Sequence, residues 1–240
     1  MALEEWRTKF GKAMMELVGT AMLVMTIQIS IATSQALAPV AIGLVLIAIV
    51  YSAGPISGGH VNPAISLSVF IRGKMSLDEM LLYWLFQVVG GILGALLGGL
   101  ICGSLIAAHI GTGYHFVQAF LAEFTFTALL CFVVLATATN SKVENNPYYG
   151  ASIGIVVFVG VIAVGPISGG AFNPAVVLGL GLVKHFWKLA YMLWVSLANL
   201  LGGVAGAAVF YVVAPDEFEH FSDEAHGLAD QARALLPTSS

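Results

Sequence analysis

The chain has 240 residues, 59% of them hydrophobic and only 9% charged, and carries a net charge of −4. A water-exposed domain carries roughly 25% charged residues, so this composition excludes a soluble enzyme and a nucleic-acid binder, which needs a basic face. Two cysteines, Cys102 and Cys131, both in apolar runs, exclude a disulfide scaffold or a cysteine-rich metal site.

A spanning helix needs about 20 mostly apolar residues to cross roughly 30 Å of hydrocarbon. Six such runs follow in chain order, over about 11–33, 37–54, 80–105, 116–138, 149–166 and 187–213. The first lies behind Glu4, Glu5, Arg7, Lys9 and Lys12, and is too long for a signal-peptide core, so it reads as a retained span. Between the second and third runs, Pro63 to Ile71 forms a nine-residue apolar segment, about 13 Å of helix, which is half a crossing. It stops at Gly73 between Arg72 and Lys74. A second short segment, Pro174 to Leu182, ends before Lys184.

Basic residues set the orientation. With the N-terminus in the cytoplasm, Arg7, Lys9, Lys12, Arg72, Lys74, Lys142 and Arg233 lie inside, and only Lys184 and Lys188 lie opposite. Both termini are therefore expected in the cytoplasm. After Ala214 the chain turns acidic, with Asp216, Glu217, Glu219, Asp223, Glu224 and Asp230 against Arg233. Residues 1–10 thus read as a cytoplasmic N-terminus, 11–213 as the membrane domain, and 214–240 as a cytoplasmic tail. The tail reads as solvated, although Phe218, Phe221, Ala225 and Leu228 fall at three- and four-residue steps that also suit a short amphipathic helix.

The chain repeats itself. Residues 54–64 read GPISGGHVNPA and residues 165–175 read GPISGGAFNPA, an offset of 111. Ile42-Gly43 matches Ile153-Gly154, and Gly90-Gly91 with Gly94 matches Gly202-Gly203 with Gly206. Glu16 and Glu123 form a further pair. The halves, about 11–105 and 116–213, hold three spans each, so the second enters the membrane with opposite polarity. Such inverted repeats place a shared site near the midplane.

Within each copy, Pro63 and Pro174 suit a first helical position, and Asn62 and Asn173 then serve as N-caps, with their NH2 groups left to donate into the space ahead. Two half-helices would meet head to head, aiming their positive ends at one midplane spot. A cation or proton meets a barrier there, while a neutral solute can hydrogen-bond with the asparagines. Ala64 and Ala175 complete the two boxes. His60, two residues before Asn62, reads either as a satisfied structural group or as a pore-lining one. Glu16 and Glu123, as intramembrane acids, are functional candidates; a proton relay and a support role are both open. The four-residue spacing of Gly90, Gly94 and Gly98, and of Gly202 and Gly206, reads as helix packing.

Two Asn-Pro-Ala boxes in a six-span chain, with matched glutamates in spans one and four, resemble the aquaporin family of major intrinsic proteins. The wording GGHVNPA is closest to tonoplast-type and microbial members. The resemblance implies an all-α bundle of six transmembrane helices and two re-entrant half-helices, assembled as a homotetramer with a pore in each protomer. It implies that His60 lines that pore, and that Glu16 and Glu123 accept hydrogen bonds from the re-entrant backbone. It implies passage of water and small neutral solutes, without cofactor, metal or enzymatic chemistry.

One position departs from the water-selective pattern. Three residues after the second asparagine, where those relatives carry Arg, this chain has Val176. Carrying over the remaining constriction positions gives Ile42, Val161 and Gly170, an uncharged, apolar filter. Glycerol, urea and ammonia then become candidate solutes alongside water. Cys102 and Cys131 are expected to be buried and inert. A secondary transporter of a neutral solute is the nearest alternative, but the sequence shows no acid or Ser/Thr cluster beside the half-helices to couple an ion. A structural membrane protein with a vestigial pore is the other. The sequence does not separate a plasma-membrane from a vacuolar or other intracellular location.

Overall fold

The computed structural model describes residues 2–218, all of them helix or connecting loop. In chain order the helices are α1 (Ala2–Thr33), α2 (Ala38–Ser57), α3 (Pro63–Ile71), α4 (Leu77–Cys102), α5 (Phe116–Val134), α6 (Tyr149–Ser168), α7 (Pro174–His185) and α8 (Leu189–Val213). Six segments are long and apolar enough to cross a membrane. A π turn, Leu135–Thr139, extends α5. The six runs read from sequence match α1, α2, α4, α5, α6 and α8, with α1 beginning earlier than expected. The first half-helix has the expected bounds. The second runs past Leu182 to His185, because no glycine follows to stop it. Phe218 is described; Phe221, Ala225 and Leu228 lie outside the described residues.

The repeat is also a repeat of packing. In the first half α1 lies along α4, and in the second α5 lies along α8. Glycine sets those distances. A Cβ at Gly94 would sit 2.3 Å from the Ala21 carbonyl oxygen, and one at Gly206 would sit 2.6 Å from that of Ala128. Helices α2 and α6 meet across the halves.

The half-helices interlock the two repeats, since each packs on the third span of the opposite half. A Cβ at Gly91 of α4 would meet the Ala175 carbonyl oxygen at 2.4 Å, and one at Gly203 of α8 would meet that of Ala64 at 2.7 Å. The first turn of each half-helix is thereby held at the middle of the bundle. Leucines such as Leu81, Leu85, Leu97 and Leu100 cover the outside, as suits a surface solvated by hydrocarbon.

Candidate functional site

Each re-entrant segment leaves its long helix at a glycine with positive φ, Gly58 (91°) or Gly169 (97°), a conformation that favours a residue without Cβ. Three residues on, Val61 (φ 43°) and Phe172 (φ 50°) occupy the same left-handed region, which costs a branched or bulky side chain about 1–3 kcal/mol. The backbone stays there because both sides of it are tied.

Glu16 and Glu123 supply one tie. Glu16 Oε1 accepts from the Ser57 hydroxyl at 2.7 Å and the His60 amide at 2.9 Å; Oε2 accepts from the Val61 amide at 2.6 Å and Gln87 Nε2 at 2.8 Å. Glu123 repeats the set with the Ser168 hydroxyl (2.8 Å), the Ala171 amide (3.0 Å), the Phe172 amide (2.8 Å) and Asn199 Nδ2 (2.7 Å). Four bonds fill the acceptor capacity of a carboxylate. An acid and Ser/Thr cluster thus does stand beside each half-helix, which corrects the sequence reading. The residues converge from three elements, and all four lone-pair positions of each acid are spent on the loop and its supports.

The asparagines supply the other tie. Asn62 Oδ1 accepts the Ala64 amide and Asn173 Oδ1 accepts the Ala175 amide, both at 2.9 Å, so each caps its half-helix. Neither NH2 group is wholly free, although the sequence suggested that both would be. Asn62 Nδ2 donates to the Phe172 carbonyl, and Asn173 Nδ2 donates to the Val61 carbonyl, both at 2.8 Å. The two strained residues therefore accept reciprocal bonds from the opposite repeat. One N–H of each amide remains without a protein acceptor.

A cavity of about 650 Å³ brings most of the remaining candidates together. Asn62, Asn173, His60, Ile42, Val161, Gly170 and Val176 all line it. Pro63, Ala64, Pro174 and Ala175 stand behind that surface as the first turns of α3 and α7. His60 is both lining and anchored, its Nδ1 lying 3.1 Å from the Ser66 hydroxyl. The walls are otherwise mostly aliphatic, and no carboxylate lines them. Glu16 and Glu123, at 0% and 1% exposure, sit behind the loops.

Cys131 is buried, but Cys102 is only half-buried, at the C-terminal end of α4 near Ser104. Neither lines the cavity. Among the described residues, no three His, Cys, Asp or Glu side chains gather as a metal site. Gln87 and Asn199 escaped the sequence reading. Their signal was there: two carboxamides in apolar spans, at the same offset of 112 that relates Gly90 and Gly202.

The model of the family described as "Major intrinsic protein" matches residues 5–211. The chain belongs to that family. Like its relatives it is an integral, multi-pass membrane protein. It is 32% identical over 176 residues to "Probable aquaporin TIP3-2" of Arabidopsis thaliana, covering 72% of this chain and 65% of that protein. It is 34% identical over 182 residues to "Aquaporin NIP1-2" of the same plant, covering 71% and 60%. The match thus spans less than two thirds of either relative. The fold superposes on the X-ray structure of the aquaglyceroporin from Plasmodium falciparum with a TM-score of 0.74, at 22% identity, over 87% of this chain and 98% of that one.

Proposed function

We propose that this major intrinsic protein is a passive channel for water and small neutral solutes, glycerol, urea and ammonia among them. The observation that carries the reading is the cavity itself, which joins the unpartnered N–H groups of Asn62 and Asn173 to an uncharged wall of Ile42, Val161, Gly170 and Val176. A neutral solute passing there trades hydration for two fixed donors. An ion loses its shell against aliphatic carbon and gains too little in return.

Protons are excluded by the same geometry. The α3 and α7 N-termini converge, and their dipoles oppose a cation at the midplane. No guanidinium contributes, since position 176 is valine. Glu16 and Glu123 act as loop supports in this reading, His60 as a lining group, and no bond-making chemistry is assigned. The relatives' printed names, aquaporin and aquaglyceroporin, fit a pore of this class.

We further propose residues 11–213 as the channel unit, 1–10 and 214–240 as cytoplasmic ends, and a homotetramer with a pore in each protomer. Plasma membrane and vacuolar membrane are equally compatible. The deciding experiment is stopped-flow light scattering on proteoliposomes, comparing osmotic shrinkage with glycerol and urea uptake. Solute uptake of low activation energy supports the wide filter. Saturable uptake driven by an ion gradient would replace the channel by a transporter.

A further inference from the structure

At the end of the molecule away from the start of α1 and Phe218, a second hollow of about 450 Å³ opens between α7, α8 and the 107–110 loop. Its charged lining is of one sign. Lys184 and Lys188 border it, with His185, His109 and Tyr191 between them. The connecting segments at this end, 34–37, 103–115 and 183–188, contain no Asp or Glu at all. Neither ammonium is paired with a carboxylate among the described residues.

Two buried polar atoms at the hollow are also unpartnered, His185 Nδ1 and the Tyr191 hydroxyl. A cation at the C-terminus of α7 complements its dipole, which explains Lys184 as a charge. It does not explain a concave space, a second cation just before α8, or two orphaned polar groups facing one volume. Unsatisfied buried donors are costly, and a ligand that supplies acceptors removes that cost.

We propose that this hollow binds a phosphate-class anion, either inorganic phosphate or a phosphomonoester. Its donors come from α7, from the turn after it and from α8, as suits a tetrahedral group with acceptors on every side; a planar carboxylate reaches fewer of them. Lys184 borders both this hollow and the larger cavity. An anion held by Lys184 therefore stands beside the mouth of the pore and narrows it. A free phosphate and the phosphate of an anionic lipid headgroup share the chemistry.

The test is equilibrium binding of radiolabelled inorganic phosphate to the full chain in phosphatidylcholine nanodiscs, at constant ionic strength. Saturable binding is expected, weakened about tenfold in Lys188→Met, since a charge-assisted contact is lost, and less in Tyr191→Phe. Glu217→Gln, at the opposite end, leaves it unchanged. Absence of saturable binding, or equal binding in Lys188→Met, overturns the site. Adding phosphatidic acid to the discs distinguishes the sources: displacement of phosphate assigns the headgroup, and undiminished binding assigns the free anion.

In proteoliposomes, saturating phosphate is expected to slow glycerol uptake at least about twofold, and Lys188→Met to raise the phosphate concentration that gives half of that slowing about tenfold. Binding without slowing overturns the narrowing of the mouth. The flux arm rests on the channel reading and the binding arm does not, so phosphate binding in a protein that passes no solute would sink the channel and leave the site.

Discussion

The two repeats agree at the centre of the membrane and part company at its edges. At the midplane, Glu16 with Gln87 and Glu123 with Asn199 hold Val61 and Phe172 by equivalent bonds. At the outer ends, α3 is locked and α7 is not. Arg72, just past α3, forms a buried ion pair with Glu217, lies 5.1 Å from the centre of the Phe218 ring, and shares Glu217 with Ser141. Helix α7 ends instead beside an open hollow at lysines that pair with no carboxylate among the described residues. The contrast teaches that the inverted repeat is required where two strained loops must support each other. Beyond the half-helices each end is free to serve its own side of the membrane.

The largest expected effect lies at the shared centre. Glu123→Ala takes an acceptor from four donors, and the Ala171 and Phe172 amides have no other; each orphaned donor costs about 1–3 kcal/mol. Folded yield from membranes should collapse, and Glu16→Ala should do the same. The Glu123→Gln exchange should also lower folded yield, because a carboxamide replaces one acceptor by a donor aimed at other donors. A well-folded Glu123→Gln protein that lost only a pH response would return the acid to a relay role.

Next comes the locked edge. The Ser141 hydroxyl and amide, together with Arg72, hold the Glu217 carboxyl below the usual carboxylate range. A depressed folded-state value means stability that is fully present above the ordinary Glu value of about 4.3 and is lost as pH falls through the lower folded-state value. Thermal melts of the wild type should therefore hold level from pH 7 to 5 and drop below about 4. Glu217→Gln should be less stable at pH 7 by about 3–5 kcal/mol, with a flatter acid limb, because it leaves Arg72 buried without its counter-ion. An unchanged acid limb would show that this contact is not formed in the membrane.

Val176→Arg is expected to act on selectivity rather than stability. A guanidinium at the wall narrows the filter and demands solutes that can satisfy it. Glycerol and urea uptake should fall about tenfold, equivalent to 1.4 kcal/mol, with water flow spared. Equal loss of water and solutes would place the constriction elsewhere.

The six spans, both half-helices, the paired asparagines and the matched glutamates were legible in the sequence because each is written in local pattern or in the repeat. What stayed hidden depends on three-dimensional closure. Val61 and Phe172 carry no mark of positive φ; a valine there is held by Glu16 and by Asn173 from the far half. The Arg72–Glu217 pair joins residues 145 apart through a tail that composition alone reads as solvated. The cationic hollow forms only when α7 overruns its expected end and brings His185 toward Lys188 and Tyr191.

The smallest expected effect is also the finest test of the symmetry. Gln87 donates to Glu16 and to the Ser66 hydroxyl, while Asn199 donates to Glu123 and to the Thr127 hydroxyl. In both, the amide oxygen has no partner. Replacing either by leucine removes two bonds but also one orphaned acceptor, so the net cost should be only about 1 kcal/mol. If the supports are equivalent, Gln87→Leu and Asn199→Leu lower the melting temperature equally. Their double variant should then lower it by the sum, since the two carboxamides share no partner. A much larger loss for Gln87→Leu would trace to Ser66, which also holds His60 Nδ1 and has no hydroxyl counterpart at Val177 in the second half. In that case the first loop depends on its lining histidine for stability, and the symmetry of the two supports ends at the glutamates.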